Sequence, residues 1–157
     1  TGWTLEVTRQ AVADVANRAQ AVGLTFDYEQ TKVANTFDAH RLVHYATSAG
    51  KGDDVAEALF RAYFVDGRNV GDHETLAQLA AGAGLPEGEV REVLRSGRFA
   101  DEVRRDLHTA AQFGINSVPC FVIDRKYAVS GAQGSSVLLQ ALQQALTDTA
   151  GSAAVTP

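Results

Sequence analysis

The chain has 157 residues, of which 45% are hydrophobic and 21% are charged, and its formal net charge is −5. This composition is typical of one globular domain, and the acidic balance excludes the basic surface that nucleic-acid binding requires. The sequence has no apolar run of about 18 residues that could cross a membrane, and one cysteine excludes an internal disulfide framework.

The first segment, residues 1–34, is predicted to be a helix followed by a connector. Apolar residues recur at helical spacing over 3–22, Thr4 is suited to cap the start, and Gly23 is suited to end the helix. The short run at 24–28 fits either a strand or an extended connector.

A second helix is predicted over 36–48, with Asn35 or Thr36 as its N-cap, because their side chains can accept hydrogen bonds from the first free N–H groups. His40 and His44 lie four residues apart and therefore share a helix face, a spacing that also occurs in zinc sites. No cysteine or carboxylate cluster completes a ligand set, so we predict no metal here and expect packing and hydrogen-bonding roles for the histidines.

Residues 35–113 are predicted to form one helical subdomain, because short apolar-periodic segments alternate there with glycine-containing turns and show no fixed repeat. After the helix at 36–48, further helices are predicted at 55–65, 73–81, 87–95 and 99–113. Asp53 or Asp54 is expected to cap the helix at 55–65, and Asp72 the helix at 73–81.

Two helices of this subdomain carry apolar faces that we expect to be buried. The helix at 55–65 has a wide apolar face that includes Phe60, Tyr63 and Phe64, and aromatic stripes of this kind usually belong to a core. In the helix at 99–113, Val103 and Leu107 are expected to point inward.

The C-terminal part, residues 114–150, is predicted to contain a β-hairpin and a helix. Apolar, β-branched and aromatic residues at 120–123 indicate a strand that is covered on both faces, a polar turn follows, and 127–129 returns as a second strand. An apolar-periodic helix is predicted at 137–146, and residues 151–157 are expected to be a flexible tail.

Pro119 occupies the first position of the predicted strand, where a missing N–H is tolerated. From the dipeptide alone, a trans Val118–Pro119 bond is the commoner outcome, and a cis bond costs only about 0.5–1 kcal/mol. Strand alternation directs Cys120 away from Pro119, so we predict that Cys120 is a small buried hydrophobe.

Two sequence blocks together resemble a known family. Residues 114–124 read Gly-Ile-x-x-Val-Pro-x-Phe-Val-Ile-Asp and are followed at 129–133 by Val-Ser-Gly-Ala-Gln, while residues 35–41 read Asn-x-x-x-Ala-His-Arg. This combination is similar to the DsbA family, most of all to its FrnE-like branch, which is related to hydroxychromene-carboxylate isomerase and kappa-type glutathione transferase. The resemblance covers nearly the whole chain.

The resemblance implies an α/β fold, thioredoxin-like with a helical insertion. This chain is then expected to be mostly α, with a C-terminal β-hairpin and a terminal helix. Family members begin with a strand, a Cys-x-x-Cys motif at the start of a helix and a second strand, whereas Cys120 is the one cysteine here. The chain is therefore expected to be a family member without that N-terminal segment, and no catalytic residue is predicted within it.

The function that the resemblance implies is thiol–disulfide oxidoreduction. In such enzymes a substrate lies as an added strand on a cis-proline loop, a role that carries over here to Ser117, Val118 and Pro119, and the family places Asn35 and His40 near the same groove. The expected partners are thiol or disulfide proteins or small thiols, without nucleic acid or membrane. No cofactor is expected, although glutathione or another small thiol is a candidate ligand, and FrnE-like relatives suggest the cytoplasm.

Two alternatives stay open at this stage. One is a glutathione-dependent isomerase or transferase of the same fold, which uses serine in place of the first cysteine. The other is a non-catalytic helical binding module that buries its half sheet in a homodimer, because proteins rarely leave sheet edges unpaired.

Overall fold

The computed structural model describes residues 4–153 of the chain, and the side chains of residues 4–148. The described part contains seven helices and one two-stranded antiparallel sheet. In chain order the elements are α1 (Leu5–Ala21), α2 (Phe37–Ser48), α3 (Gly52–Phe64), α4 (His73–Gly82), α5 (Glu87–Arg95), α6 (Ala100–Gln112), β1 (Cys120–Ile123), β2 (Tyr127–Ser130) and α7 (Ser135–Ala153). No helix in the described residues combines the length and apolar character needed to cross a membrane.

The chain divides into two units, the first ending at Asp106 and the second beginning at Leu107. This division falls inside α6, whereas the pattern of the sequence places the end of the helical subdomain after residue 113. The first unit holds α1 to α5, and the second holds the hairpin and α7.

The first helix begins at a side-chain cap. The Thr4 hydroxyl accepts a hydrogen bond from the Val7 N–H at 3.3 Å, which confirms the predicted cap. Gly23 follows the helix in the left-handed region, with φ of 82°, where a residue without Cβ meets no steric penalty. Residues 24–27 form a connector without regular secondary structure and not a strand. Trp3 lies outside the described residues.

The core of the first unit is built from α2 to α5. Each of these helices contributes one apolar face, and burial of these faces stabilises the unit. The residues that are fully buried include Leu42, Ala46, Val55, Leu76, Ala77, Ala80, Val90 and Val93. In α6, Val103 is buried as predicted, whereas Leu107 is 61% exposed and the prediction for it is wrong.

The starts of α3 and α4 differ in how they are capped. The Asp72 carboxylate accepts from the Thr75 N–H at 2.8 Å, so the predicted cap of α4 is confirmed. The predicted cap of α3 is wrong: Lys51 is the N-cap, and Asp53 and Asp54 lie within the first turn. There they still favour the helix, because negative charge near an N-terminus offsets the helix dipole.

The hairpin of the second unit pairs Cys120 with Ser130 and Ile123 with Tyr127. Its turn has two consecutive left-handed residues, Asp124 and Arg125, and the Lys126 N–H donates to the Ile123 carbonyl at 3.1 Å. Three residues therefore lie between the paired Ile123 and Tyr127, and two of them have the positive φ that tight hairpin turns require.

The strand β1 is less covered than the sequence predicts. Phe121 is 42% exposed, so the expectation of a strand buried on both faces is wrong within the described residues. The helix α7 packs on the hairpin, where the Tyr127 hydroxyl donates to the Asp148 carboxylate. This helix runs to Ala153, into the segment expected to be a flexible tail, and residues 154–157 of that segment lie outside the described residues.

Candidate functional site

The loop that leads into β1 exposes three residues that the sequence singles out. Ser117, Val118 and Pro119 are all exposed, and Val118 is 89% exposed even though it is apolar. The Val118–Pro119 peptide bond is cis.

Contacts with the last residue of β2 and with the residue after it hold this loop in place. The Pro119 carbonyl accepts from the Gly131 N–H at 2.8 Å, and the hydroxyls of Ser117 and Ser130 lie 3.4 Å apart. The backbone N–H and C=O of Val118 have no hydrogen-bond partner in the part of the chain that the structure describes. The loop therefore presents a free donor and a free acceptor beside an anchored strand end.

Cys120 follows this loop directly and lies opposite Ser130 in the hairpin. Its thiol is free and the residue is partly buried, so it is less enclosed than the sequence predicts. A thiol exchange reaction of the Cys-x-x-Cys type needs two cysteines, and these 157 residues contain one.

Asn35 and His40, the other two candidates, belong to the first unit. The Asn35 side-chain oxygen accepts from the Phe37 N–H at 2.9 Å, so it supports the start of α2. His40 is exposed, and its side chain lines an apolar cavity between α2 and α3 without a hydrogen-bond partner in the described residues. The structure thus brings together Ser117, Val118 and Pro119 in one loop and places the remaining two in the other unit.

Arg41, which follows His40 in the sequence block, has a role that sequence reasoning missed. Its side chain is buried, donates to the Asp38 carboxylate at 2.7 Å, and donates from Nε to the Arg98 carbonyl at 2.9 Å. It also donates to the carbonyls of Val93 and Ser96. The i, i+3 spacing of Asp38 and Arg41 is a signal that could have indicated an ion pair, but the carbonyl partners lie more than fifty residues away.

Asp38 joins this arginine to a histidine. Its second carboxylate oxygen lies 2.7 Å from Nε2 of His73, at the start of α4. Burial acts to raise the pKa of Asp38, but the hydrogen bonds from His73 and Arg41 outweigh that effect and hold its pKa below the ordinary value. The carboxylate is therefore charged and ties α2 to α4.

The two histidines of α2 do not act together. His44 lies 2.8 Å from the Asp106 carboxylate, whereas His40 faces the cavity described above. Over the residues that the structure describes, no three His, Cys, Asp or Glu side chains are placed to hold a metal ion.

Known proteins resemble this chain in sequence and in structure. The uncharacterized protein YwbO of Bacillus subtilis is 30% identical over 100 residues, which are 63% of this chain and 50% of YwbO. A crystal structure of a probable DsbA oxidoreductase from Streptomyces coelicolor matches with a TM-score of 0.86 and 42% identity, over 93% of this chain and 63% of that one. The matched region of the chain thus spans about half the length of YwbO.

The fold comparison extends to a more distant protein. The crystal structure of a protein from Nitrosomonas europaea that is described as a protein disulfide isomerase matches with a TM-score of 0.70 and 23% identity. The match covers 94% of this chain and 78% of that one, and this likeness concerns the fold alone. The model of the DSBA-like thioredoxin domain matches residues 6–143. These findings confirm the predicted thioredoxin-like fold with its mostly helical composition, hairpin and terminal helix. The chain belongs to the DSBA-like thioredoxin domain family.

Proposed function

We propose that this chain is the substrate-holding part of a thiol–disulfide oxidoreductase. Its Ser117–Val118–Pro119 loop holds an extended segment of the substrate. The observation that carries the proposal is the free backbone N–H and C=O of Val118, exposed beside the anchored start of β1. An extended peptide adds to such an edge through main-chain hydrogen bonds, which makes recognition tolerant of sequence.

The chemistry belongs to a cysteine pair that the proposal places outside these 157 residues. A thiolate of one partner attacks a sulfur of the other partner's disulfide. A mixed disulfide forms between the two partners, and the second sulfur of the attacked disulfide leaves as a thiolate. A second thiolate then resolves the mixed disulfide, so that one disulfide is reduced while another is formed. The role of this chain is to hold the extended segment of the substrate while these exchanges occur.

The test uses the protein as its own cell makes it and a peptide with one internal disulfide. Val118→Pro removes the free N–H, and we expect disulfide exchange at least tenfold slower, whereas Val118→Ala keeps the N–H and a rate close to that of the wild type. Val33→Pro is the matched control, because Val33 is fully exposed in a connector and its N–H also has no partner among the described residues. Equal rates for the three variants would contradict the role of Val118.

Cys120→Ser separates this proposal from chemistry at the lone cysteine. We expect unchanged exchange, because the reacting pair lies elsewhere. Loss of exchange in Cys120→Ser would assign the reaction to Cys120, and absence of exchange in the wild-type protein would overturn the oxidoreductase proposal. Saturable glutathione binding together with that absence would favour the isomerase or transferase alternative.

The same proposal includes a cytoplasmic location and a homodimer. The location rests on analogy with FrnE-like relatives, and the homodimer rests on the open edge of the sheet. Fractionation of the native cell and the sedimentation of the purified protein test them.

A further inference from the structure

Gln133 closes the bend that follows β2. Its Nε2 donates to the Ser130 carbonyl at 2.9 Å, and its backbone N–H donates to the Gly131 carbonyl at the same distance. Gln133 is exposed, so these two hydrogen bonds, and not burial in a core, fix its conformation. Residues 130–133 therefore form a short turn that is held by its own polar groups.

Gly131 joins this turn to the loop of Ser117, Val118 and Pro119. Its φ of 85° lies in the left-handed region, and a Cβ added there would lie 3.3 Å from Nε2 of Gln133. In this conformation the Gly131 N–H reaches the Pro119 carbonyl at 2.8 Å. The side chain of Gln133 thus lies against the residue that anchors the loop.

Of the two contacts that anchor the loop, the Gly131 bond is the stronger. The hydroxyls of Ser117 and Ser130 lie 3.4 Å apart, which is longer than a normal O–H···O hydrogen bond. The direction of the Pro119 carbonyl therefore depends mainly on Gly131.

Val118 is affected because it immediately precedes the anchored residue. Its free N–H and C=O are the groups that would bind the backbone of an added strand. Such hydrogen bonds prefer an angle above about 150° at the hydrogen and weaken steeply below about 120°. If Pro119 could turn, Val118 would offer these groups in many directions, and most of them would suit no substrate strand.

We propose that Gln133 is a positioning residue for the substrate. It fixes the turn at 130–133, and the turn directs the Gly131 N–H to the Pro119 carbonyl. Val118 is thereby held in the direction in which a substrate strand binds. This role rests on the proposed function of the Val118 loop, to which it adds an orienting residue outside the loop.

Gln133→Met tests this role, because methionine has a similar length and no N–H donor. Gln144→Met is the matched control, since it removes an exposed hydrogen bond of the same kind on α7, from Nε2 of Gln144 to the Asp148 carboxylate at 3.0 Å. The first readout is amide hydrogen exchange of Gly131, measured by NMR on the full-length protein. It should become about fivefold faster in Gln133→Met and stay unchanged in Gln144→Met.

The kinetic readout uses the peptide with one internal disulfide. We expect Gln133→Met to raise the KM of this peptide about threefold and to leave kcat unchanged, because it weakens an interaction made equally in the bound substrate and in the transition state. In the Val118→Pro background the same substitution should have no further effect on KM, since the bond that Gln133 positions is already absent. A merely structural role would not depend on Val118 in this way.

Three outcomes would overturn this role. They are equal exchange of the Gly131 amide in Gln133→Met and Gln144→Met, an unchanged KM in Gln133→Met, and the same rise in KM with and without the Val118→Pro substitution. In each of these cases Val118→Pro alone still slows disulfide exchange if the loop binds the substrate, so failure of this role is distinguished from failure of the proposed function. A wild-type protein without disulfide exchange would overturn both.

Discussion

Arg41 shows how one buried charge can organise a helical subdomain. Its side chain is 5% exposed, and its guanidinium donates to backbone carbonyls near the end of α5 and pairs with Asp38. A buried charge is tolerated only with such partners, and removing it leaves several polar groups without partners in a low-dielectric surrounding. Arg41 is therefore a structural residue. The neighbouring His40, which belongs to the same sequence block at 35–41, is exposed and lines the apolar opening between α2 and α3.

We expect Arg41→Met to lower the free energy of unfolding by about 3 kcal/mol, because the carbonyls and Asp38 lose their buried donor. Urea denaturation measures the change. Arg95→Met is the matched control, since Arg95 is 71% exposed and, among the described residues, its ion pair is with Glu92 alone, and it should change stability by less than about 0.5 kcal/mol. Equal effects would show that the carbonyl contacts contribute little.

The ion pairs of Asp38 also predict a pH dependence. Because the pKa of Asp38 is lowered in the folded protein, its contribution to stability is present above the unfolded pKa of about 3.9 and is lost as pH falls through the lowered value. We expect Asp38→Asn to flatten the acid side of the stability curve, measured as urea midpoints between about pH 2 and pH 5. An unchanged slope in this variant would contradict the assignment.

At the scale of elements, the helices end in two different ways. Left-handed glycines follow α1, α2, α4 and α6, at Gly23, Gly50, Gly84 and Gly114. The helix α5 is followed by Ser96 in an extended conformation, and Gly97 is not left-handed. Four helix ends are therefore encoded locally, whereas the last carbonyls of α5 accept hydrogen bonds from Ser96 and from the distant Arg41.

Two glycines should respond oppositely to the same substitution. Gly50 has φ of 71°, so Gly50→Ala should destabilise by about 1 kcal/mol, whereas Gly88 lies within α5 and Gly88→Ala should stabilise by about 0.5 kcal/mol. A Cβ at either position meets no atom within 4 Å, so backbone conformation is what differs. Thermal unfolding of both variants measures the effects, and shifts of the same sign would contradict this explanation.

At the scale of the whole molecule, the fold could be predicted from the sequence because its signals are local. The bounds of α5, the cap at Asp72 and the strand at 120–123 follow from periodicity and polar caps, and they agree with the structure. The family resemblance rests on short blocks whose backbone demands are specific. Even the Lys51 start of α3 lies only a few residues from the predicted cap.

The candidate site was less accessible to sequence reasoning, for physical reasons. Burial depends on what neighbouring elements cover, so the exposure of Phe121, Phe60 and Leu107 could not be deduced from their hydrophobic spacing. The partners of Arg41 are backbone carbonyls, which every residue carries, and no residue type in the sequence identifies them. The loop at Val118 was found because its motif is local.

The dependence of α5 on Arg41 has a consequence for the order of folding. A segment with local stop signals can form its final turn before the rest of the chain arrives. At the end of α5 the Val93 carbonyl has a local donor in the Ser96 hydroxyl, whereas the carbonyls of Ser96 and Arg98 gain Arg41 as a donor only when α2 has docked. In an isolated peptide covering residues 72–98, we therefore expect more helix at the beginning, which Asp72 caps, than at the C-terminal end, which lacks Arg41.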